Sequence, residues 1–166
     1  MTSWTYLLDP AARIVVAALA GTVLGLNRDL HGKSTGVRTL GLVAMSSALI
    51  TVATLNLATD YGALKLNVDT LIPVVQGVLT GIGFIGAGVI LRGSTGNRVR
   101  GLTTAATVWS IAIIGLVCGL GDWPLLVIGL ALIMLLLLFG GTLEKRVRSY
   151  FLPETRDGPV APPPPP

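Results

Sequence analysis

The stretch GIGFIGAG, Gly81 to Gly88, sets Gly81, Gly83 and Gly86 at the G-x-G-x-x-G spacing. After a strand and at the head of a helix, that spacing cradles a dinucleotide pyrophosphate. The same chemistry needs an acidic residue about 20 positions further on to hold the ribose. No acid occurs between Asp69 and Asp122. The glycines instead lie inside the unbroken apolar run LIPVVQGVLTGIGFIGAGVIL, where small residues let helix backbones approach closely. They read as packing residues.

Other reactive groups are scarce. One His and one Cys exclude a histidine metal cluster and an intrachain disulfide. His31, in NRDLHGKSTG, reads as a solvated loop residue, and Cys118 as a small apolar filler. With no catalytic constellation and no evident cofactor, the chain reads as non-enzymatic. The apolar runs do hold Ser47, Thr51 and Thr54, then Gln76 and Thr80, then Thr103, Thr104, Thr107 and Ser110. Two readings of these stay open. Hydroxyls bonded back to their own helix, with an amide bonded across to a neighbour, would be structural glue. Alternatively they line a polar pathway or small-ligand site, with Gln76 its foremost member. Mg²⁺ usually takes one or two carboxylates, and none stands in mid-run, so no metal ligand is assigned.

The elements that must position these residues follow from composition. Of 166 residues, 52% are hydrophobic and 12% charged, against about 25% charged in an ordinary soluble domain. Mean hydropathy is +0.77. Five apolar runs emerge: Pro10 to Leu26, Leu40 to Ala58, Leu71 to Leu91, Gly101 to Gly121 and Trp123 to Leu143. Each approaches the roughly 17–25 residues with which a helix crosses hydrocarbon. The expected fold is all-α, a polytopic membrane bundle of five transmembrane helices, with a membrane domain over 1–143 and a basic, proline-rich, disordered tail over 144–166.

Lysine and arginine then set the orientation. Arg28, Lys33 and Arg38 share one connection, Arg92, Arg98 and Arg100 another, and Lys145, Arg146, Arg148 and Arg156 lie beyond the last run. The alternate side has Lys65 alone, beside Asp9, Asp60, Asp69 and Asp122. The positive-inside rule places the N-terminus outside and the C-terminus in the cytoplasm. Asp9 and Pro10 read as N-cap and first residue of the first helix, with Arg13 one turn on from Asp9. A signal peptide is disfavoured, because MTSWTYLLDPAARIVV lacks a basic n-region. On the cytoplasmic side Arg28, Asp29, Arg38, Thr39, Arg92, Arg98 and Arg100 form a candidate site for an anionic lipid, phosphate or protein partner. Simple anchoring is the competing explanation.

Helix faces suggest an arrangement. Ala17, Gly21 and Gly25 repeat every four residues, a small-residue seam. In the third run Gly77, Gly81 and Gly88 form one stripe, and Gln76, Thr80, Gly83 and Ala87 another; Gly86 adds a further small position. Two such faces predict a central helix. The fourth, with Gly115 and Gly119, should also be inside, and the aliphatic fifth should face lipid. The same seams suit a homo-oligomer.

The segments LNRDLHGKSTGVRTLGLVA, GIGFIGAGVILR and VRGLTTAATVWSIAIIGLVCGLG, in this order, resemble the membrane domain of the MgtC/SapB family over roughly Arg13 to Gly121. The resemblance implies a multi-pass protein of the bacterial inner membrane, linked to magnesium homeostasis and to virulence. It also implies a regulator acting on membrane partners, including the F-type ATP synthase, with Mg²⁺ as an implied ligand. An oligomeric transporter or channel for Mg²⁺ or another small solute is the alternative. The family usually reads Glu-Arg where this chain has Asn27-Arg28, and its longer members carry a cytoplasmic domain after the last span. Only EKRVRSYFLPETRDGPVAPPPPP follows here, so a short form without that domain is expected. Nucleic acid is not an expected partner.

Overall fold

A computed structural model describes residues 3–60, 68–92 and 101–151. All five elements are helices: α1 Ser3–Leu30, α2 Val37–Asp60, α3 Val68–Arg92, α4 Leu102–Leu120 and α5 Trp123–Phe151. Each contains a stretch long and apolar enough to cross a membrane. The chain divides into a compact unit through Ala131 and a second from Leu132 onward. The first holds the core.

That core is built from α1, α2 and α4. Ala17, Ala20 and Leu24 of α1, Leu40, Ala44, Ala48 and Val52 of α2, and Val108, Ile111 and Ala112 of α4 are buried. Small side chains are needed here because the backbones nearly touch. A Cβ at Gly21 would strike the Leu40 carbonyl oxygen and come within 2.9 Å of the Gly41 Cα. At Gly25 it would come within 2.7 Å of the Val37 nitrogen. On the other side of α2, a Cβ at Gly115 would strike the Ala44 carbonyl oxygen, and one at Gly119 would lie 2.9 Å from the Ala48 carbonyl oxygen. α2 is thus clamped between two glycine seams, one from each neighbour.

The expectation of a central third helix does not hold. Sixty-one per cent of the α4 span is buried, against 6% of the α3 span. α3 meets α4 along one narrow stripe, where Ile82 is buried and a Cβ at Gly86 would touch Ala105 at 3.6 Å. Gly77, Gly81, Gly83 and Gly88 are exposed, with nothing within 4 Å of where a Cβ would stand. The reason is saturation. The small faces of α1, α2 and α4 already occupy one another, leaving α3 the flank of α4 and a smaller contact with α2.

The helix ends follow from local chemistry. Gly121 has φ 79° and its N–H reaches the Val117 and Cys118 carbonyls, closing α4 in the left-handed conformation that glycine adopts without strain. Asp122 then caps α5, its Oδ1 accepting from the Leu125 N–H at 3.1 Å. Just after the turn Leu126 is buried and Gly129 faces Ile114 of α4. From Leu125 to Phe139 the exposed residues of α5, including Leu125, Val127, Ile128, Leu135, Leu136 and Phe139, are aliphatic or aromatic.

Two boundaries differ from the sequence expectation. α1 begins at Ser3, so Asp9 stands within the helix and not at its N-cap; Pro10 is accommodated inside, as proline is in many membrane helices. α5 continues to Phe151, so the first part of the expected disordered tail is helical. Residues 152–166 lie outside the described residues.

Gly21→Ala and Gly115→Ala should each lower thermal stability in detergent by about 1–3 kcal/mol, because α2 must move to admit the methyl. Gly77→Ala should leave it unchanged or raise it by up to about 1 kcal/mol, through helix propensity alone. Melting curves of the three variants check both outcomes.

Candidate functional site

The buried polar chemistry gathers at one end of the core. At spacings of four, three and four, Ala17, Gly21, Leu24 and Arg28 occupy one buried face of α1. Arg28 is therefore carried into the core by the same periodicity that packs the helix, and only 3% of it is exposed. On α4, Thr104 and Thr107 lie three apart on one face and are also buried. Arg28 Nη2 donates to Thr104 Oγ1 at 2.5 Å and Nη1 donates to Thr107 Oγ1 at 3.2 Å. Thr107 Oγ1 in turn donates to the Thr103 carbonyl at 2.7 Å, which fixes its lone pairs toward the guanidinium.

The rest of the hydroxyl set is divided. Ser47 and Thr51 are buried between α2 and α4, and Thr51 Oγ1 donates to the Ser47 carbonyl at 2.8 Å. Thr54 bonds back to Ile50 in the same way. Ser110 is half-buried, and Thr103 is exposed. Gln76 and Thr80 are exposed on α3. Within one chain, then, Ser47, Thr51, Thr104 and Thr107 lie in the core, while Gln76, Thr80 and Thr103 do not join them. The expected stripes on α2, α3 and α4 do not meet along one interior path.

The expected cytoplasmic cluster also separates. Arg28 turns inward to α4. Asp29 is exposed, and its Oδ2 accepts from the Val37 N–H at 3.0 Å, so the last turn of α1 caps the first turn of α2. A Cβ at Gly36 would meet that carboxylate, which would have to shift. Arg38 and Thr39 are exposed on α2. The Arg92 side chain, Arg98 and Arg100 lie outside the described residues. His31 is exposed, its Nδ1 2.6 Å from the Asn27 carbonyl.

At the opposite end Arg13 ties the bundle together. Its Nη2 pairs with Asp9 at 2.8 Å, and its Nη1 donates to the Gly119 carbonyl at 3.0 Å. A cation is favoured at a helix C-terminus, and Gly121 leaves room for it. The bond to Gly119 links α1 to α4 across 106 positions and had no local signal. Arg28 did have one, its place on the core face. Thr35, buried with its hydroxyl unpartnered, had none.

Helices this long and apolar, whose core polarity is mainly hydroxyls and one guanidinium, belong in lipid; the chain is a multi-pass helical membrane protein. Within that class it belongs to the MgtC family, whose model matches residues 14–146. Protein SrpB of Synechococcus elongatus is 45% identical over 123 residues, covering 70% of this chain and 66% of its own. Protein SapB of Bacillus subtilis is 38% identical over 73% of this chain and 52% of its own, and protein MgtC of Salmonella typhimurium is 35% identical over 74% and 47%. The chain thus spans about half to two thirds of the length of these relatives. No solved structure matches it.

Thr104→Val leaves Nη2 of a buried guanidinium without its acceptor and should destabilise the protein by about 1–3 kcal/mol. Thr103→Val, one residue away but exposed, should stay within about 0.5 kcal/mol of the parent. Thermal unfolding of both variants in one detergent makes the comparison.

Proposed function

We propose that the chain is a non-enzymatic regulator in the bacterial inner membrane, linked to magnesium homeostasis, that acts by packing against another membrane protein or a second copy of itself. The observation that carries this reading is the outer face of α3. At 100° per residue, Ile82 and Gly86 point toward α4, Gly77, Thr80, Gly81 and Gly88 fall on the opposite arc, and Gln76 and Gly83 stand at its edge, all six exposed. Small residues let another helix approach, and in lipid an amide gains most from a neighbour that can bond to it. Inside the chain, Thr51, Thr54 and Thr107 return their protons to carbonyls of their own helices. Among the described residues no group of three His, Cys, Asp or Glu side chains could hold a metal ion. The magnesium link is supported by a relative in Escherichia coli, 39% identical over 75% of this chain and 57% of its own, named "Putative magnesium transporter YhiD". The excess of Lys and Arg after the first, third and fifth spans supports an outside N-terminus and a cytoplasmic C-terminus.

A second reading is favoured by one observation. Gln76 and Thr80 lie one turn apart on that same exposed arc, where copies arranged about an axis would bring them together as a polar lining. That assembly would be a transporter or channel for Mg²⁺ or another small solute.

Liposomes loaded with a magnesium-sensitive dye separate the two. The regulator is expected to give a signal indistinguishable from empty vesicles, whereas flux that Gln76→Leu abolishes would replace it with the transporter. Gly81→Leu and Gly88→Leu, which fill the α3 face without touching the core, should each abolish co-purification of the partner or of the oligomer. Association unchanged in both variants would remove α3 as the contact surface.

A further inference from the structure

Arg28 carries a buried positive charge that meets no carboxylate among the described residues. Its Nη atoms are held by the two threonine hydroxyls, and its Nε has no partner. Hydroxyls supply dipoles but no net charge, and an isolated buried ion is strongly unfavourable. The neighbourhood deepens the deficit. Thr104 is the third residue of α4, so the guanidinium lies against the first turn of that helix, the positive end of its dipole. That turn follows Gly101 and has no side-chain cap. The nearest acid in sequence, Asp29, is turned to the α2 N-terminus.

Two positive elements therefore converge where nothing in the described chain balances them. A guanidinium beside the first turn of a helix that has no side-chain cap is a donor set that suits tetrahedral oxyanions. Arg28 stands two residues before the end of α1, a depth that suits the headgroup layer more than the hydrocarbon centre. We propose that Arg28 and the first turn of α4 form a receptor for a phosphate-type oxyanion, either the phosphodiester of an anionic lipid headgroup or free phosphate. This assignment goes beyond the regulatory reading and stands whether or not the protein transports anything.

The test uses the full chain, delipidated in detergent and titrated calorimetrically with inorganic phosphate and, separately, with soluble short-chain phosphatidylglycerol, with sodium chloride at matched ionic strength as the control. One of the two should bind saturably; binding of the free ion identifies soluble phosphate, and binding of the lipid alone identifies a headgroup. Arg28→Gln should weaken that binding by at least about tenfold, the worth of a charge-assisted pair. Lys33→Gln, at an exposed lysine of the α1–α2 connection, should leave it unchanged. A measurement without variants is also available: under arginine-selective isotope labelling, the Arg28 Nε–H resonance should shift on saturation. No saturable binding of either ligand, equal binding by the parent and Arg28→Gln, loss of binding in Lys33→Gln, or an Nε–H resonance that does not move would each overturn the site.

Discussion

The bundle depends on how closely α2 lies against its two neighbours. The carbonyls of Leu40, Ala44 and Ala48 occupy space that a side chain would fill at Gly21, Gly115 and Gly119. In lipid there is little hydrophobic gain from moving an apolar side chain out of solvent that is itself apolar, so helices associate through dense van der Waals contact. Glycine and alanine provide that contact by letting backbones touch. Every other core feature is placed by it, including the depth at which Arg28 reaches α4 and the register that brings Arg13 to the end of the same helix.

The two arginines of α1 hold opposite ends of α4 under different electrostatic conditions. Arg13 meets a carboxylate and the carbonyl end of the helix, both of which attract it. Arg28 meets hydroxyls at the amide end, where the helix field opposes it. The first arrangement has its charge paired, though Arg13 Nε, like Arg28 Nε, has no partner, and it behaves as a clasp. The second meets no carboxylate among the described residues, which leaves this end of the described bundle with an unbalanced positive charge.

α3 carries as many small residues as the core helices but presents most of them away from the chain. Gln76 is on the same side. A face of that composition is costly to leave against lipid, which can neither fill the grooves of a glycine stripe as closely as a helix nor bond an amide. Packing of the three core helices and the exposed face of α3 thus use the same residue chemistry at different places.

Much of this could be read from residue order. The five spans follow from apolar run length, because crossing hydrocarbon imposes a minimum number of residues on a helix. The seam of Ala17, Gly21 and Gly25 follows from a four-residue repeat; Arg28 extends that face, yet the sequence reading sets it at the cytoplasmic surface, and the structure buries it. The Asp9–Arg13 pair is local and equally legible. What the order of residues left open was which small faces meet. α1, α3 and α4 all advertise glycine, and a stripe carries no label for its partner, so the expectation of a central α3 was consistent with the sequence and wrong for the fold. The capping of α2 by Asp29, the bond from Arg13 to Gly119 and the bonds from Arg28 to Thr104 and Thr107 join residues far apart in sequence or across a turn. Periodicity reports how a helix is divided between inside and outside; only the tertiary structure decides which neighbour each inside face receives, because that choice is a competition among all the helices at once.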